Sequence, residues 1–210
     1  MIRTLLAITF SLVLLPLAAC AQDGQTSYIE GTHYTTLSQP VRTRNKDKIE
    51  VVEMFWYGCG HCYNFEPLII SWSSKVAADV DFWQSPAMWN APMKLHAQAF
   101  YTAQALGVLE KIHNPMFSAL NVDRSPLRSQ KAIADLFAQN GVAREEFNKA
   151  FNSFGVKSQV RQADARARSY KITGTPEIVV NGKYLVSTRM SGGQAEMLKI
   201  VDFLVAKERG

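Results

Sequence analysis

Apolar positions crowd residues 49–57, where IEVVEMFWY is rich in β-branched and aromatic side chains. That pattern predicts a strand buried on both faces. Gly58 ends it. Phe65, Ile69, Trp72 and Val76 then recur at steps of four, three and four, which predicts an amphipathic helix starting at about the cysteines that precede them. Pro67 falls inside this helix and should kink it, because proline removes a backbone donor and crowds the preceding turn. Residues 80–84 read as a second core strand. From 93 to about 161 only helical patterns occur, around 95–106, 108–120, 129–140 and 144–154, with Asn140-Gly141 and Phe154-Gly155 read as helix ends. The next helix aligns Val156, Val160, Ala163, Ala167 and Tyr170 on one stripe, leaving Lys157, Arg161, Arg166 and Arg168 as a solvated face. Strand periodicity returns at 177–180 and 184–186, joined by Asn181-Gly182 as a two-residue hairpin, and a final helix covers roughly 193–207. The pattern is therefore α/β, with sheet elements flanking an inserted all-helical block.

Composition narrows the class. A chain of 210 residues with 47% hydrophobic and 20% charged residues suits one soluble globular domain, or a domain with an insertion, and is too apolar for disorder. No stretch of about 18 to 20 apolar residues spans a membrane. The net charge of +5 comes from 23 basic residues dispersed among 18 acidic ones, so no basic patch points to nucleic acid. Three cysteines are too few for a disulfide scaffold, and the odd count asks which one stands apart.

The first 19 residues read as an export signal, with Arg3 as the positive start, an apolar run over 5–17, and Ala18 and Ala19 before cleavage. Two cleavage readings compete. Leu17-Ala18-Ala19-Cys20 resembles a bacterial lipoprotein box, which would tie Cys20 to lipid at a membrane surface; Ala19-Cys20-Ala21 resembles an ordinary secretory site. The lipoprotein reading is preferred, and either one exports the chain. Cys20 is thus lipidated or discarded, leaving Cys59 and Cys62 as C-x-x-C in an oxidising compartment.

Two cysteines three apart at the first turn of a helix can close and reopen a small disulfide. The first sulfur lies near unsatisfied backbone N–H groups and the positive helix end, so Cys59 is the expected nucleophile, with His61 able to support its anion. A stabilised thiolate also makes the oxidised pair a stronger oxidant. A zinc site would need four ligands, and His33, His96 and His113 are scattered without a second paired motif, so no metal is expected and these histidines read as surface or helix residues. Haem attachment needs histidine where Tyr63 stands. A purely structural disulfide restrains little chain entropy across two residues. Glu53 sits mid-strand, six positions before Cys59; it reads either as a proton shuttle for Cys62 or as a carboxylate at the rim. Thr175-Pro176 precedes the hairpin and is cis or trans, a choice the sequence leaves open.

FWYGCGHCYNFEP, the helical block and GTPEIVVNGKY together resemble the DsbA family of exported bacterial thiol-disulfide oxidoreductases, over about residues 28–207. The resemblance implies a thioredoxin-like fold, with residues 28–92 and 162–207 forming the thioredoxin-like domain and 93–161 the helical insertion. It assigns Cys59 as the attacking cysteine, Cys62 as the buried resolving cysteine, His61 as the thiolate stabiliser, Glu53 as the buried acid, and Thr175-Pro176 as the cis-proline loop facing the disulfide. It also implies a periplasmic enzyme without a cofactor that oxidises reduced, unfolded exported proteins and is reoxidised by a quinone-linked membrane partner of the DsbB type. Two departures stand out: Gly60-His61 occupies the place of Pro-His in the best-known members, and Cys20 offers a lipid anchor. A reductase or isomerase using the same pair, and a binding lipoprotein with a structural disulfide, are the alternative readings.

Overall fold

The computed structural model describes residues 27–210; the expected export signal and Cys20 lie outside them. The strands are β1 (Thr35–Thr36), β2 (Ile49–Phe55), β3 (Val80–Pro86), β4 (Glu177–Val180) and β5 (Tyr184–Ser187). They form a mixed sheet in the order β1-β5-β4-β2-β3, in which β2 runs parallel to β3 and antiparallel to β4. Helices cover this strand on both faces, which is why 49–57 carries an apolar run instead of an alternating one. The helices are α1 (Gly60–Ser73), α2 (Ala91–Ala105), α3 (Leu109–Asn121), α4 (Gln130–Gln139), α5 (Arg144–Phe151), α6 (Phe154–Ser169), α7 (Thr188–Ser191) and α8 (Gln194–Arg209). Among the described residues, no helix is long and apolar enough to cross a membrane.

Side chains alternate across β2 and so divide the core. Val51 packs with Phe65 and Ile69 of α1 and with Met197, Ile200, Val201 and Leu204 of α8. Val52 and Met54 point the other way, onto Ala167 and Tyr170 at the end of α6. Burying one Phe or Ile side chain of this kind contributes about 2 to 3 kcal/mol, so Phe65 and Ile69 alone pin α1 to the sheet by two such increments. Glu53 shares the α1 face with Val51.

Helices α2 to α5 and the first half of α6 enclose a third core built on Phe100, Phe117, Phe137 and Phe147. The strand end plugs into it: Phe55 meets Phe100 edge-on at 5.4 Å between ring centres, and Tyr57 meets Phe117 at 4.9 Å. The helical insertion therefore packs directly behind the turn that carries the cysteines. Val156, Val160 and Ala163 of α6 face this core while Ala167 faces the sheet, so the boundary expected at 161 falls inside a single helix.

Several local expectations are corrected. Phe154-Gly155 is not a helix end: α5 stops at Phe151, and Ser153 caps α6 by accepting from the Val156 N–H at 3.2 Å, which makes Phe154 and Gly155 its first turn. Arg166 is not a solvated charge. Its guanidinium lies 4.5 Å over the Trp83 ring and donates to Ser85 Oγ at 3.3 Å. The β4–β5 loop holds three residues instead of two, since Val180 pairs with Tyr184. Asn181 and Gly182 both take left-handed φ values, 49° and 62°, and a Cβ on Gly182 would lie 2.0 Å from the Val41 carbonyl oxygen, so only glycine fits the second place. Pro67 does lie inside α1, as expected, and on its exposed side.

Candidate active site

Cys59 is the residue at which β2 hands over to α1. Its backbone is extended (φ −92°, ψ 112°), and its sulfur takes the place of a capping oxygen, accepting from the Cys62 N–H at 3.3 Å. As a thiol it also donates to the Thr175 carbonyl at 3.3 Å; the anion has no proton to give there and is held by the donors around it, the Cys62 thiol foremost. Hydrogen bonding from Cys62 comes first among the causes that pull the Cys59 ionisation down to about 5, followed by Thr175 and the backbone N–H groups of Cys62 and His61, with partial burial opposing them. Fourteen residues of helix stand behind that sulfur and add their positive end to the same effect.

Cys62 is the opposite case. It is fully buried, and loss of solvent, together with the neighbouring Cys59 sulfur and Glu53, pushes its ionisation far above that of a free thiol. The two sulfurs are free thiols in this structure. One is accessible and primed to ionise; the other is hidden and protonated.

His61 is exposed, and its imidazole makes no hydrogen bond to either sulfur. Its contribution at Cys59 comes from its backbone N–H. Glu53 lies in the second strand from the sheet edge, paired with Gln84 on one side and Ile178 on the other, with no exposed surface, so the rim reading does not fit. The Thr175-Pro176 peptide is cis, and the loop it forms lies against Cys59. Glu177, also buried, braces that loop by accepting from the Thr173 N–H at 3.2 Å and the Thr173 hydroxyl at 3.3 Å.

Behind Cys62 runs a buried polar chain that the sequence pattern did not reveal. The Gln84 amide donates to Glu53 Oε2 at 2.9 Å and to Glu66 Oε2 at 3.2 Å. Glu66 Oε1 lies 3.0 Å from His113 Nε2, and His113 Nδ1 lies 2.8 Å from the Tyr57 hydroxyl. His113 of α3 and His96 of α2 are both buried helix residues. Besides Glu53, one signal in the sequence points here: Glu66 follows Cys62 by four residues, which puts a carboxylate on the helix face that the cysteine buries.

Burial first, and then the Glu66 charge, raise Glu53 to about 8 against the hydrogen bond from Gln84. Its second oxygen, Oε1, has no partner. Keeping this acid in the fold costs roughly 3 kcal/mol at pH 7, because an unfolded chain would ionise it freely. Glu53→Gln is therefore expected to stabilise the fold at neutral pH by up to about that amount while slowing thiol exchange roughly tenfold or more. The unaltered protein should lose exchange rate, relative to the fraction of attacking thiolate, as pH rises through about 8 and the donor acid is spent. The Gln variant should lack that inflection. Stopped-flow measurement of reduction by a small thiol between pH 5 and 10 checks both; identical profiles would remove the role.

Among the described residues no group of His, Cys, Asp and Glu could hold a metal ion. A surface hollow of about 620 Å³ opens between α1 and α3 and has Glu66 and Tyr63 in its wall.

A family model for a DSBA-like thioredoxin domain matches residues 70–204, which begins after the cysteine pair. The chain is 43% identical over 193 residues to the thiol:disulfide interchange protein DsbA of Pseudomonas aeruginosa, covering 92% of this chain and 90% of that one. It is 41% identical over 179 residues to the protein of the same name from Azotobacter vinelandii, covering 85% and 84%. Among solved structures, Pseudomonas aeruginosa DsbA superposes with a TM-score of 0.84 at 43% identity, covering 87% of this chain and 95% of that one. The oxidoreductase DsbA of Xylella fastidiosa superposes at 0.82 with 33% identity, covering 87% and 98%.

Proposed function

The chain belongs to the DsbA-like thioredoxin family and is a thiol-disulfide oxidoreductase, and from that premise we propose that it works as an oxidant of exported proteins through Cys59 and Cys62. The observation that carries this reading is the asymmetry of the two sulfurs. Cys59 is accessible and ionises at about 5, whereas Cys62 is buried and stays protonated.

A client thiolate attacks Cys59 Sγ of the disulfide; the S–S bond breaks, and its electron pair leaves on Cys62. Glu53 supplies the proton that neutralises the buried Cys62 sulfur. The client is now joined to Cys59. A second client thiolate attacks the client sulfur of this mixed disulfide, and Cys59 departs as the thiolate that its N–H donors favour. The client has given up two electrons and gained a disulfide. Cys62 holds one of its protons, by way of Glu53, and the other goes to solvent. The cis Thr175-Pro176 loop offers its backbone beside Cys59, where an extended client strand would pair; such recognition asks little of client sequence.

The same reading places the enzyme in the periplasm, behind the export signal of residues 1–19, with Cys20 tying it to a membrane surface if lipidated. Its clients are reduced, unfolded exported proteins. A quinone-linked membrane protein of the DsbB type takes the two electrons from the reduced pair and restores the disulfide.

The test is equilibration of the purified protein with reduced and oxidised glutathione. An oxidant has its pair reduced at glutathione ratios that leave ordinary structural disulfides intact, and it accelerates disulfide formation in a reduced client protein. A pair that stays oxidised under those ratios would reverse the direction and assign a reductase.

A further inference from the structure

The first residue of α8 reaches the cysteine motif from outside it. Gln194 Nε2 donates to the His61 carbonyl oxygen at 2.5 Å, a contact across 133 positions of sequence. That carbonyl belongs to the same peptide unit as the Cys62 N–H, and this N–H is the one that donates to Cys59 Sγ at 3.3 Å. A hydrogen bond accepted at one end of a peptide unit polarises the unit and strengthens the donor at the other, by something like 10–30%. We propose that Gln194 is a positioning residue for the redox pair, gripping and polarising the peptide unit whose N–H holds the Cys59 sulfur.

The support behind Gln194 is rigid. Met197, Ile200, Val201 and Leu204 of the same helix have no exposed surface, and Ser191 Oγ ties the entry to α8 by donating to the Gly193 and Thr188 carbonyls at 2.9 and 3.2 Å. The amide end is unambiguous, because a carbonyl oxygen can only accept. A second carboxamide grips the other side of the same turn: Asn121 of α3 donates to the Tyr57 carbonyl at 2.7 Å and to the Phe117 carbonyl at 2.8 Å. The N–H of that peptide unit belongs to Gly58 and does not touch the sulfur, so Asn121 holds the turn without acting on the Cys59 donor. The two clamps can therefore be told apart.

The inference rests on Cys59 being the ionised nucleophile. Its test follows thiolate absorbance of the reduced, full-length mature protein against pH. Gln194→Met keeps the side-chain length and removes the donor; its Cys59 midpoint should rise by about half a pH unit, roughly threefold in the exchange equilibrium with glutathione, favouring the disulfide. Gln194→Glu cannot donate once ionised and adds a like charge, so its midpoint should rise further. Asn121→Ala should leave the midpoint closer to that of the unaltered protein than Gln194→Met does. A Met variant that titrates like the unaltered protein overturns the proposal, as does an equal shift from Asn121→Ala, which would mean that loosening the turn is the whole effect. Should Cys59 of the unaltered protein titrate as an ordinary thiol, the nucleophile assignment fails instead, and the two failures are distinct.

Discussion

Cys62→Ala is expected to convert the enzyme into a trap, because the Cys59 thiolate attacks a disulfide already formed in a client, one client sulfur leaves as a thiolate, and the other stays joined to Cys59 as a mixed disulfide. Among the described residues Cys62 is the only other thiol, one helical turn from an adduct at Cys59, and it is fully buried, so no outside thiol can take its place in that geometry. Such an intramolecular thiol acts at an effective concentration far above that of any free one, and its removal should lengthen adduct lifetimes by on the order of a hundredfold or more. The substitution removes one small buried atom group and should cost the fold little more than about 1 kcal/mol. It also withdraws the Cys62 thiol, the leading support of the Cys59 anion, so the remaining cysteine should titrate higher than in the intact pair. Nonreducing electrophoresis of exported proteins, followed by mass mapping of the linked cysteine, reads the outcome. Adducts that form on no client, or that survive replacement of Cys59 as well, would rule out the scheme.

The second large effect is on stability. In the reduced protein Cys59 ionises at about 5, against about 9 for an unperturbed thiol. A depressed acid contributes stability that is complete above the unfolded value and is lost as pH falls through the folded one, so the window runs from about 9 down to about 5. The disulfide form has no thiol to ionise and lacks this contribution. The reduced form should therefore gain on the oxidised form as pH rises. Taken at face value the gap would widen by nearly 3 kcal/mol between pH 4 and 7; with Cys59 only partly buried, solvent screening brings the expected change to roughly 1 to 2 kcal/mol. Glu53 works in the opposite sense, since its raised value weakens the fold progressively as pH climbs from about 4.5 to about 8 and in full above that, but it is present in both redox forms and largely cancels in the difference. Urea denaturation of the two forms at pH 4, 7 and 9 measures the gap. A gap independent of pH would mean that Cys59 is not a stabilised thiolate, and the driving force for oxidation would be gone.

Much of this was legible along the chain. The order of elements, the buried character of β2, the helical block and the position of the cysteine pair at a strand-to-helix turn follow from periodicity and short-range signals, since apolar spacing and capping are local properties. Where local signals competed, the weaker one misled: Gly155 suggested a helix end, but the Ser153 hydroxyl two residues earlier satisfied an orphan N–H and began a new helix. Arg166 was assigned to solvent because helical spacing alone cannot show that Trp83, on a distant strand, lies under it.

The chemistry divides along the same line. The chain by itself determined which two cysteines stand together at the turn and which one caps the helix, because a C-x-x-C at a helix start sets its own geometry within one turn. Only the tertiary structure decided how unequal those sulfurs are. Burial of Cys62, the reach of Gln84 from β3 to Glu53 and Glu66, the closure of His113 from the insertion onto Glu66, and the approach of Thr175 and Gln194 to the motif join residues far apart in sequence. Ionisation responds to every charge, dipole and lost water within a few ångströms, whatever the separation along the backbone, and that neighbourhood exists only once the sheet, α8 and the helical insertion have packed together.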